Sequence, residues 1–136
     1  MSESEGLLPL YLHLARASEL RRRLWARDKM LVLAGVTAVE LNLDHIAAFC
    51  RQKILSNNPG HMVGHYTTLA EALTADRFLG YLKQLRRNYP HEKAEHMLHS
   101  LGIEMGRERD VYYNLHEYAA ALLGTTPDAL NELFGT

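Results

Sequence analysis

Residues 91–99 read HEKAEHMLH, three histidines and two glutamates in nine positions directly after Pro90. Imidazole and carboxylate are the groups that hold transition metals and move protons near neutral pH. At about 100° per residue, His91, Glu95 and His99 form one rung of a helix, with Glu92 and His96 beside it. Ala94, Met97, Leu98 and Leu101 fall on the opposite side. That division predicts an amphipathic helix whose His/Glu face meets solvent. A metal there would need a second helix or subunit to cover it.

His61 and His65, in GHMVGHY, have the i,i+4 spacing that lets two helical imidazoles share one ion. Gly60 and Gly64 work against a helix here, each by about 1 kcal/mol relative to alanine. The competing expectation is that these histidines bond backbone groups near a turn. Glu40, Asp44 and His45 can supply further ligands. Two acids at i,i+4 on a buried helix repel unless a metal, a proton or an arginine neutralises them. Arg51, or an arginine of the first helix, is the expected neutraliser. In the metal version, Glu40, Asp44 and His45 face His61 and His65 across a hinge and hold Zn, Fe or Mn. Nothing in the sequence requires a cofactor, and the Glu-x-x-His pair of di-iron helical bundles is absent.

Other chemistry is fainter. YYNLHEY (112–118) puts tyrosine, His116 and Glu117 together, but no nucleophile lies nearby, and its spacing suits core packing. There is no GxSxG elbow, HExxH or Gly-rich phosphate loop. The segment AAALLGTTPDALNELF (119–134) has the spacing of a helix-turn-helix corner. Its second helix, however, offers Asp128, Asn131 and Glu132, the wrong sign for phosphate. Basic stretches occur at Arg16, Arg21, Arg22, Arg23 and Arg27, and at Lys83, Arg86 and Arg87 beside Tyr81 and Tyr89. Such mixtures can stack bases or serve as interfaces.

The elements that must position these residues read as all-α. Over 136 residues, 47% are hydrophobic and 23% charged, a composition that folds as one domain. The formal charge of −1 argues against a chain built around nucleic acid. Cys50, the single cysteine, excludes an intrachain disulfide, a CxxC pair and a thiolate-rich zinc site. The longest apolar run, residues 30–39, is half a membrane span of about 20 residues. The expected chain is a soluble, cytoplasmic one with no membrane association.

Helices are predicted at 9–26, 28–55, 66–73, 75–89, 90–101, 103–123 and 127–134. Together they form a compact single-domain bundle of six or seven helices over 1–136, with 1–6 as a disordered acidic tail. Pro9, Pro59, Pro90 and Pro127 mark helix starts and Gly102 and Gly124 helix stops. Thr68 with Glu71 has capping-box spacing, and Thr74 and Thr126 are candidate N-caps. The helix at 28–55 is the expected centre, with Gly35 marking a close approach or a break. Leu7, Leu8, Leu10, Leu12 and Leu14 crowd the first helix beyond one core-facing stripe and predict a homodimer.

These readings favour a non-enzymatic scaffold or protein-interaction module. The alternative is a metal-binding bundle with redox or hydrolytic activity through Glu40, Asp44, His45, His61 and His65. A second alternative is anionic-ligand or nucleic-acid binding by the arginine-rich faces, which the net charge disfavours.

Overall fold

The computed structural model describes residues 3–105 and 108–135. Its described residues contain eight α-helices and two short 3₁₀ turns, with no strand. The helices are α1 (Glu3–Leu20), α2 (Leu24–Glu40), α3 (Asp44–Asn57), α4 (Leu69–Ala72), α5 (Asp76–Asn88), α6 (His91–Ser100), α7 (Leu115–Leu122) and α8 (Pro127–Phe134). The 3₁₀ turns are Met62–His65 and Glu108–Val111.

α1 packs against α2, α6 and α7, and α2 packs in turn against α3, α4 and α5. Every residue of α1 from Leu8 to Ala15 is buried. Each fully buried leucine contributes about 1.5–3 kcal/mol of burial, so α1 and α2 make the centre, not a helix at 28–55. The leucine crowding in α1 is therefore satisfied within one chain.

The helix expected at 28–55 is divided. α2 ends at Glu40, and Asn42 takes the left-handed conformation, with φ 61°. The Leu43 N–H donates to the Ala38 carbonyl (2.8 Å) and the Asn42 N–H to that of Val39 (3.0 Å). This is the Schellman pattern, which satisfies carbonyls that a helix end leaves open. The same pair of bonds closes α1 at Arg22, α6 at Gly102 and α7 at Gly124. Asparagine is the side chain that best tolerates this conformation after glycine. The break was thus encoded at Asn42, inside an otherwise apolar helical pattern.

Other boundaries shift for local reasons. α1 starts at Glu3, so Pro9 lies inside it, and residues 3–6 of the expected tail form its first turn; Met1 and Ser2 lie outside the described residues. The helix expected at 103–123 begins only at Leu115, capped by the Asn114 side chain, which accepts from the Glu117 N–H (2.8 Å). Residues 106–107 of that expected helix lie outside the described residues. Thr126 caps α8, and Thr68 caps α4 while the Glu71 carboxylate accepts from the Thr67 N–H. Thr74 does not cap α5: its hydroxyl donates to the Glu71 carbonyl instead. Gly35 marks a close approach, since a Cβ there would collide with Leu69 and lie 3.2 Å from the Cys50 Cβ.

Candidate functional site

Along α3, Asp44, Ala48, Gln52 and Leu55 recur at helical spacing and line one wall of an open groove of about 910 Å³. The opposite wall is the extended segment Thr67–Thr68 running into α4, and Phe134 of α8 closes one side. From Asp44 to Ser56 the α3 wall runs about 18 Å at 1.5 Å per residue. Ala47 and Ala48 keep its middle shallow, so the space is the consequence of small side chains on an otherwise packed helix.

Arg51 fixes the far wall. Its Nε and Nη2 both donate to the Tyr66 carbonyl, at 3.0 and 2.7 Å. Its role is to hold the 66–68 segment against α3, not to neutralise Glu40 and Asp44. Two groove hydroxyls are engaged as well: Thr68 accepts from the Glu71 N–H, and Ser56 donates to the Gln52 carbonyl (2.9 Å). What remains facing the opening is an apolar floor with a polar rim.

Glu40 closes α2 and Asp44 opens α3, so the turn at Asn42 separates them and both are exposed. Glu40 pairs with Arg86 of α5 at 2.7 Å. Asp44 and His45 line the groove, where the His45 ring lies 6.0 Å from that of Phe134. His116 sits close enough that His45 influences it: burial and then the His45 charge push the His116 imidazole below its usual value. His61 does not join them. Its Nδ1 accepts from the Val63 N–H (3.1 Å) to cap the first 3₁₀ turn, and its ring packs edge-on to Tyr81. His65 ends that turn, exposed, beside Tyr66. The two histidines therefore do not share an α-helix. Among the described residues, no three His, Cys, Asp or Glu side chains gather closely enough to hold one ion.

HEKAEHMLH forms α6 with Ala94 and Leu98 buried and Glu92, Glu95, His96 and His99 exposed. His91 pairs with Glu95 one turn on. In the 119–134 corner, Gly124 makes the turn and Ala120 and Leu130 are buried, whereas Leu133 is exposed.

Two polar clusters join residues that sequence spacing did not connect. Buried His13 of α1 lies with Nε2 2.8 Å from the Tyr118 hydroxyl of α7, and Glu108 Oε2 lies 3.6 Å from the same nitrogen. Burial lowers the His13 imidazole from its usual value, against an opposing pull from Glu108. Burial and then the Glu108 charge push the Tyr118 phenol up to about 12. Both shifts favour the neutral forms, and the Tyr118 hydroxyl and His13 Nε2 share one hydrogen bond. The partners stand 105 positions apart, so no local pattern could reveal them.

The second cluster centres on Arg27 and Asp28, both buried. The Arg27 guanidinium donates to Glu19 (2.6 Å), Asp28 (3.1 and 3.2 Å) and the Lys53 carbonyl (3.2 Å), while the Asn57 amide donates to Asp28 (2.9 Å). This network fastens the end of α1 and the start of α2 to the last turns of α3. It thereby sets the far end of the groove wall.

No helix among the described residues is long and apolar enough to cross a membrane. Comparison with protein-family models, with curated proteins and with solved structures found no match.

Proposed function

We propose that this chain is a non-enzymatic interaction module whose groove along α3 receives an amphipathic helical segment of a partner protein. The observation that carries the reading is the groove itself: about 910 Å³, apolar in its floor, polar at its rim and open along one helix. An extended stripe with two alanines at its middle suits the close approach of another helix, whose axis would lie about 8–10 Å away. Asp44, exposed at one end of the wall, favours a partner segment with a cation at that end. The engagement of Arg51, Thr68 and Ser56 in the groove's own architecture favours recognition over group transfer at this site.

Ala48→Arg tests the reading. The side chain would fill the groove from a partly exposed position, so folding should persist while binding of the partner segment is lost. Retained binding by a folded Ala48→Arg protein would refute the groove as the binding surface. A second copy of the chain in the groove would register instead as a dimer in sedimentation.

A further inference from the structure

Leu20 and Trp25 are 77% and 72% exposed, two large apolar side chains flanking the turn from α1 to α2. Between them stand Arg21, Arg22 and Arg23, all exposed, with exposed Arg16 one turn back on α1 and exposed Lys29 one turn on along α2. The acids of the same stretch are already committed. Glu19 holds Arg27 at 2.6 Å and Lys53 at 3.3 Å, and Asp28 is buried against Arg27 and Asn57. Glu108 lines a pocket with Arg16, Leu20 and Arg21, and against that one acid a chain of formal charge −1 still concentrates net positive charge at this turn.

The backbone adds an independent observation. Arg22 occupies the left-handed position of its Schellman turn, with φ 59°, where the turns after α6 and α7 have glycine. Arginine is disfavoured in that conformation, and turn geometry alone therefore gives no reason for it. Its guanidinium at the tip does.

We propose that this turn docks on an anionic lipid surface, with Trp25 and Leu20 entering the interface and Arg21, Arg22 and Arg23 meeting the headgroups. Tryptophan prefers the membrane interface, and basic residues near an anionic leaflet strengthen attachment. Such a contact needs no spanning helix. Single-stranded nucleic acid is the weaker fit: base stacking would use Trp25 but leave Leu20 unserved, and one turn is no track for a backbone.

Trp25 is the only tryptophan, so its fluorescence reads the contact directly. The full chain is mixed with vesicles of phosphatidylcholine alone and of phosphatidylcholine with phosphatidylserine, at low and at raised salt. The proposal expects co-sedimentation and a blue shift with the phosphatidylserine vesicles only, weakening as salt rises. Arg22→Gly should lower the affinity about fivefold, and because glycine suits the turn, lost folding cannot explain the loss. Trp25→Ala should weaken co-sedimentation as well. Absence of binding to phosphatidylserine vesicles at low salt would overturn the proposal. So would equal binding to both vesicle types, an unchanged affinity in Arg22→Gly, or binding to single-stranded oligothymidylate without binding to vesicles.

Discussion

Replacing Arg27 by methionine removes the guanidinium that ties three helices together while keeping most of the side chain's volume. The structure sets the magnitude. Asp28 is 2% exposed and would keep only the Asn57 amide at 2.9 Å, and Glu19 would keep only Lys53. Breaking a buried pair by removing one partner costs about 3–5 kcal/mol, because the remaining charge is left uncompensated. A domain's whole stability is about 5–15 kcal/mol. With a urea dependence of about 2 kcal/mol per M, the midpoint should fall by about 2 M. Urea unfolding followed by circular dichroism measures it. Adding Asp28→Asn to Arg27→Met removes the stranded charge and should recover about half of the loss. A cost for Arg27→Met below about 1 kcal/mol, or a double variant no more stable than the single one, would refute the reasoning.

Three further outcomes follow from the packing and the ionisation. Gly35→Ala should destabilise by about 1–2 kcal/mol by the same urea assay, because the clash with the buried Leu69 side chain and the tight approach to Cys50 outweigh the better helix propensity of alanine. Stability should fall as pH drops below 6.5: His13, His61 and His116 have folded-state values held below 6.5 by burial, so the unfolded chain binds more protons there. His13→Gln should flatten that slope by no more than about 1.4 kcal/mol per pH unit, the limit for one proton, and thermal melts between pH 7 and 5 would show it. Cys50, fully buried with its thiol pushed up to about 12, should resist thiol reagents in the native protein and react fully in denaturant.

The helical class and most caps were legible because they depend on neighbours in sequence. Gly102, Gly124, Thr68 and Thr126 each act within one turn, and the two faces of α6 follow from its own period. Asn42 was legible in principle, but its flanks are apolar enough to suggest that the helix continues. The groove was not legible: its walls come from α3, the 67–70 segment and α8, and their juxtaposition depends on Arg51 reaching the Tyr66 carbonyl. Spacing brought Asp44 and His45 forward for metal binding, and the structure places both in the groove while His61 caps a turn. The basic turn was visible as composition only. Exposure of Leu20 and Trp25, and the commitment of Glu19 and Asp28 elsewhere, required the fold.

The most direct test of the groove is site-specific photo-cross-linking in cells that express the chain natively. A photoreactive residue at Gln52, exposed on the α3 wall, is compared with one at His96 on the solvent face of α6. A discrete protein adduct is expected at position 52 that is absent at 96 and disappears when Ala48→Arg fills the groove. No adduct at 52, or one that survives Ala48→Arg in a folded protein, would contradict the proposed function.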